Sequence, residues 1–294
     1  MKFEFVYSRH FDLIFHVLAY FDVPNASNLY DVHYIEKMAY EKAGFEYDIT
    51  LAIAPLQDYY NKNFERLMLI NFLPYYCNSY DEMKNNFLSC VHFTQDDLQF
   101  FVIPFIAMLD NESKFFFSYW ETLNAQLEPM KQSVENSFTR QLKKYACVFE
   151  YFNKSCRILF SFNITKNGRG FYSDTHFAAL ARFPEKESDF KFSFIQLFHE
   201  YTHNFTDKLL GANINMQDGS HDLSEYIVMV TDYYLIKALD VDLIPAYFEW
   251  VKQWSGDDLD EDKFLKSYSF DEHLKAEMMA ELMMLIESIL ILGR

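Results

Sequence analysis

Between Phe190 and Gly211 the chain is apolar enough to be buried, yet it carries His199, Glu200, His203 and Asp207. Imidazoles and carboxylates taken out of water cost several kcal/mol unless they are paired, so any fold this stretch adopts must supply them with partners. Ser188 or Asp189 is placed to cap a helix and Gly211 to stop it. At about 100° per residue, His199 and His203 fall about 40° apart and one turn along the same face. Two neutral imidazoles so placed can share one cation, the arrangement zinc accepts. Glu200 is next to them on the wheel, turned towards the place of a metal-bound water. Gln196 and Asp207 fall on the same polar arc, with Phe194, Phe198, Phe205 and Leu209 opposite. The expectation is a helix that packs on one side and offers chemistry on the other.

A metal site needs a third protein ligand. After residues 211–220 comes a second helical stretch, His221 to Ile236, apolar almost all round, on which Asp222, Glu225, Met229 and Asp232 share one arc. Glu225 is the expected third ligand. Its competing role is the second half of a capping box with Asp222, and His221 is the competing ligand. Asp232, set between Val-Met-Val-Thr and Tyr-Tyr-Leu-Ile, must be paired if buried. A ligand histidine is its natural partner, because ligating imidazoles donate their other N–H to a carboxylate.

His199-Glu200-x-Thr202-His203-x-x-Thr206-Asp207, followed by Glu225 on the next helix, resembles the active-site pair of the gluzincins. These are the zinc metallopeptidases that include thermolysin-like proteases and one-zinc aminopeptidases. The resemblance covers roughly residues 190–236. It implies one zinc on His199, His203 and Glu225, with Glu200 as general base and Asp207 supporting a ligand from behind. It also implies a peptide or protein substrate. The pattern departs from thermolysin where that family carries an Asp one turn after the ligand Glu. Here Met229 stands there, and Asp232 is the available substitute; Gln196 replaces a usually small or β-branched residue.

The rest of the chain constrains the setting. A net charge of −17 opposes nucleic-acid binding, since a phosphate backbone would be repelled. Aromatic residues make up 19% of the 294, far above what a disordered chain carries. Charges interrupt any signal-like apolar run in Met1–His10, and no run of about eighteen apolar residues offers a membrane span. Cys77, Cys90, Cys147 and Cys156 show no paired spacing, so neither a zinc knuckle nor a disulfide framework is indicated. A cytoplasmic location is the expectation.

Read in order, residues 3–7 alternate like a strand and 9–21 form an apolar helix, with His10 and His16 as core or capping residues. Helices follow to about Phe152, with breaks near Gly44, Pro74, Asn78, His92 and Asp110-Asn111. Arg157–Ile164 and Thr175–Phe183 read as strands around a turn at Asn167–Gly170. A strand just ahead of the active helix fits the substrate-binding edge of the peptidase group. Ile244–Trp254 and Asp271–Leu292 read as further helices, separated by an acidic loop that reads as a solvated helix start. The expected fold is α+β and mainly helical. It has a helical portion over 1–152 and a zincin-like catalytic portion over 153–294, with a small antiparallel sheet. The function expected from the resemblance is zinc-dependent peptide hydrolysis; the alternative is a non-catalytic zinc protein that uses the groove for binding. Tyr234 and His273, with Tyr233 and Tyr268, are the candidates for stabilising an oxyanion.

Overall fold

A computed structural model describes residues 2–22, 31, 33–146, 148–149, 155–165, 168–172, 176–211 and 220–292. The chain is mainly helical, with one small sheet, as an α+β reading requires. Its elements are β1 (Lys2–Tyr7), α1 (Arg9–Leu18), α2 (Tyr34–Glu41), α3 (Ile49–Lys62), α4 (Tyr80–Ser89) and α5 (Ile103–Lys144). Then come β2 (Ser155–Ser161), β3 (Arg169–Tyr172), β4 (His176–Arg182), α6 (Phe190–Gly211) and α7 (Ser220–Leu239), and finally α8 (Ile244–Ser255), α9 (Glu261–Ser267) and α10 (Glu272–Leu292). They form two compact units. One comprises 1–5, 132–158 and 168–294, the other 6–131 and 159–167. The first therefore takes in Lys2–Phe5 of β1 and the end of α5 along with most of residues 153–294.

Local chemistry sets most helix starts. Ser8, Asp48, Ser79 and Asp260 each accept an N–H of the first turn, an interaction worth about 0.5–2 kcal/mol apiece. Thr94 and Asp97 close a reciprocal capping box. Asp271 accepts the N–H groups of His273 and Leu274 at 3.0 Å, which starts α10.

One expected break is absent. The chain runs as helix through Asp110 and Asn111, because tertiary partners outweigh the turn preference of that dipeptide. The Asp110 carboxylate accepts from Tyr80 and Lys84, and the Asn111 amide bonds back to the Ala107 carbonyl. In the unit built from 6–131, His16 is wholly buried, held by Glu112 at 2.8 Å and the Tyr34 hydroxyl at 2.9 Å. Asp12, also buried, accepts from the Trp120 indole, the Ser161 hydroxyl and the Phe162 amide.

The sheet order is β1-β2-β4-β3. β3 and β4 are antiparallel, with Gly170 opposite Ala179 and Tyr172 opposite Phe177. The sheet as a whole is mixed rather than antiparallel. A local turn forces antiparallel pairing only between strands close in sequence, and the long stretch between β1 and β2 permits either sense. β3 lies where a turn was expected. β4, buried from Phe177 to Ala181, is a nearly continuous apolar run, as a strand covered on both faces must be.

α6 packs on β3 and β4 and against α7 and α8. Phe194 and Phe198 are fully buried beside the Tyr145 ring, each contributing roughly 1.5–3 kcal/mol of burial. Tyr201 donates to the carbonyls of Val148 and Phe149. The polar arc is only partly a solvent face: Gln196 and His199 are buried, while Glu200, His203 and Asp207 keep part of their surface open.

Candidate metal centre

α6 and α7 lie side by side, and their facing arcs carry the candidate ligands. The one-turn spacing brings the His199 and His203 rings to 4.9 Å between centroids, nearly perpendicular. Glu225 reaches both, with one oxygen 3.2 Å from His199 Nε2 and the other 3.5 Å from His203 Nε2. One donor atom from each of the three residues lies within 4.8 Å of the others, the only such trio among the described residues. The side chains of His221 and Asp222, competitors for the ligand and capping roles, lie outside the described residues.

The other nitrogen of His199, Nδ1, sits 2.8 Å from the Asp232 carboxylate, itself 1% exposed. Asp232 is thus the group behind the first histidine. Asp207 also lies near the centre; burial first and the Glu225 charge second push its carboxyl up to about 6. Burial alone would lower the His199 imidazole, but hydrogen bonds to Asp232 and Glu225, with their charges, hold it well above its ordinary value. With Nδ1–H given to Asp232, Nε2 meets a carboxylate oxygen with its lone pair unless a proton or a cation lies between them. Two imidazole nitrogens and a carboxylate converging so closely fit a zinc ion, which would satisfy all three donors.

Glu200 keeps part of its surface open to solvent and lies under β3. The Gly170 N–H donates to its carboxylate. A Cβ on Gly170 would stand 3.0 Å from the Glu200 carbonyl, and one on Gly168 would stand 2.6 Å from the Leu180 carbonyl and 2.9 Å from Glu200 Cγ. At Gly168 a side chain would collide with the β4 backbone, and at Gly170 it would press tightly on the α6 backbone, so both favour glycine. The Glu200 carboxyl is raised, by burial above all; His199, Arg169 and the Gly170 amide pull against that, while Glu225 adds to it. Gln196 accepts the Arg182 amide at 2.7 Å, tying α6 to the end of β4. Trp250 of α8 walls the His199 ring at 5.1 Å.

Two sequence candidates fall outside this cluster. Tyr234 lies two residues past Asp232, about 200° round α7, and its ring lies against Tyr233. His273 is 83% exposed at the start of α10, where it pairs with Glu277. Tyr233 bonds Lys237 and Glu261, and Tyr268 packs on Tyr226 and Phe264. Arg169, Gly170 and Trp250 went unread in the sequence. Gly168-x-Gly170 beside a strand is the signal of close backbone approach that marks the first two; an isolated Trp250 carries none.

No helix among the described residues is long and apolar enough to cross a membrane. Comparison with family models, curated proteins and solved structures finds no match for this chain.

Proposed function

We propose that the chain is a zinc-dependent peptidase of gluzincin type, with a zincin-like catalytic half. The observation that carries this reading is the convergence of His199, His203 and Glu225 with Asp232 behind His199 and Glu200 alongside. Three protein ligands leave a coordination position open, which suits a catalytic rather than a structural site. Zinc, when bound, would lower the pKa of a water molecule and polarise the scissile carbonyl.

The protein's own groups do the rest. Asp232 holds the proton of His199 on Nδ1, so that Nε2 is the ligating nitrogen. Glu200 takes the proton of the attacking water and delivers it to the departing amine. Its raised carboxyl moves towards the pH at which it can both accept and return a proton. β3 is the sheet edge nearest Glu200, and an extended peptide can add to such an edge through main-chain hydrogen bonds.

Glu200→Gln separates the peptidase from a zinc protein that only binds. The variant is expected to keep its zinc and lose about 10²–10⁴ in cleavage rate on a peptide library. Equal cleavage by wild type and Glu200→Gln would overturn the mechanism.

A further inference from the structure

In the unit built from residues 6–131, α2 is held at both ends, and the two holds meet at one buried site. Tyr34, its first residue, has its hydroxyl 2.9 Å from Nδ1 of His16 on α1. Lys42, which caps its C-terminal end, reaches the Glu112 carboxylate of α5 at 2.9 Å. Glu112 in turn lies 2.8 Å from His16 Nε2. Of the eight residues of α2 only Tyr34 and Met38 are buried; most of the others face solvent, Tyr40 at 81% exposed among them. A helix this short is not stable by itself, so α2 stays formed only where these contacts hold it.

The site closes over a titratable ring. His16 and Glu112 are 0% and 1% exposed, and the imidazole stacks on Phe116 at 4.5 Å and packs on Phe115 and Tyr20. With Nε2–H donated to Glu112, Nδ1 accepts the Tyr34 hydroxyl proton and Lys42 balances the single carboxylate. A proton on His16 breaks both conditions. Nδ1–H then meets the Tyr34 hydroxyl, which must turn its own hydrogen away, and two cations share one carboxylate. The nearby carboxylates are committed elsewhere. Asp48, whose charge acts with that of Glu112 on the Tyr20 and Tyr47 hydroxyls, is exposed and caps α3 through Thr50. Asp12, one turn earlier on α1, is held by Trp120, Ser161 and Phe162. Burial above all, with the Lys42 charge, lowers the His16 imidazole from its ordinary 6.5, while the bond to Glu112 and its charge pull the other way.

We propose that this site is an acid-released latch: a proton taken up by His16 frees α2 from α1 and α5, baring Met38 and the surroundings of His16. The docked helix holds the neutral ring, whereas the released one leaves the ring in water at its ordinary value. Docking is therefore complete above about pH 6.5 and weakens as pH falls below it. Between about pH 7.5 and about pH 5.5 the ratio of docked to released helix falls by up to about tenfold. Asp12 acts on global stability in the opposite sense, so the readout belongs at α2 itself.

The test is amide hydrogen exchange on the full chain, with protection corrected for the intrinsic rate at each pH. On going from about pH 7.5 to about pH 5.5, the amides of Met38 to Lys42 should lose several-fold in protection, up to about tenfold, while those of α3 keep theirs. His16→Gln retains a donor for Glu112 and an acceptor for Tyr34 without titrating, so its α2 should be equally protected at both pH values. Nitrogen NMR of wild-type His16 should find the proton on Nε2 at the higher pH and a titration midpoint below the ordinary value. The latch is overturned if α2 protection in wild type does not change with pH, if α3 loses as much as α2, or if His16→Gln changes as wild type does. It is equally overturned if the His16 ring titrates at or above about 6.5, a result that stands whether or not the glutamine variant folds.

Discussion

Replacing Gly168 by Ala probes the close approach of the β3 end to Glu200, the proposed general base. The added Cβ would stand 2.6 Å from the Leu180 carbonyl, a backbone atom of the paired strand, and 2.9 Å from Glu200 Cγ. Neither gap admits a methyl group, so β3 must shift from β4 or Glu200 must move. Overpacking of this kind costs about 1–3 kcal/mol, against about 0.4–1 kcal/mol gained by restricting the unfolded chain. The net is a loss of about 1–2 kcal/mol, read as a fall of about 2–3 °C in melting temperature for a chain of 294 residues. A displacement of about 1 Å at a catalytic group can cost about 10² in rate, so peptide hydrolysis should fall by that order while zinc content stays unchanged. Gly44→Ala is the control. Nothing lies within 4 Å of its Cβ, but its φ of +98° makes alanine strained, costing about 1–2 kcal/mol without touching Glu200. It should lower the melting temperature and leave the rate alone. A Gly168→Ala protein that melts and cleaves like wild type would refute the close-approach argument.

Asp232→Asn removes the carboxylate that holds His199 Nδ1 and should weaken zinc binding about 10–100-fold, measured by competition with a chromogenic chelator; unchanged affinity would assign Asp232 to packing alone. Burial lifts Asp12 from 3.8 to about 6 against the hydrogen bonds it accepts, so the folded chain keeps this proton to higher pH than the unfolded one. The stability this proton contributes is complete below about pH 4 and lost as pH rises through about 6, and the gap between 3.8 and about 6 corresponds to about 3 kcal/mol. Urea midpoints from pH 4 to 7 should therefore show a slope in wild type that Asp12→Asn lacks, and parallel curves would remove Asp12 from the account.

The helices of the centre were legible because their signals are local. Histidines four apart in an apolar run define a helical face, and a carboxylate stranded in the Val-Met-Val-Thr setting of Asp232 announces a buried partner. The pairing of Asp232 with His199 follows from the cost of leaving either alone. β3 was not legible as a strand. Gly170, with Gly168 just before the strand, looks like a turn until Glu200 is known to lie beneath them, which is a long-range fact. The same limit hid the burial of Gln196 and Asn204, which depends on what packs over α6, and the continuity of α5 through Asp110, which depends on Tyr80 and Lys84. Tyr234 and His273 were chosen by residue type, and only helical phase and exposure place their rings elsewhere.

Zinc stoichiometry tests the centre most directly. After loading with zinc and exhaustive dialysis, elemental analysis should find about one zinc per wild-type chain. His199→Ala, His203→Ala and Glu225→Gln should lose the metal under the same dialysis while remaining folded by circular dichroism. Wild type that retains no zinc, or histidine variants that both retain the full complement, would contradict the assignment of His199, His203 and Glu225 as a metal site.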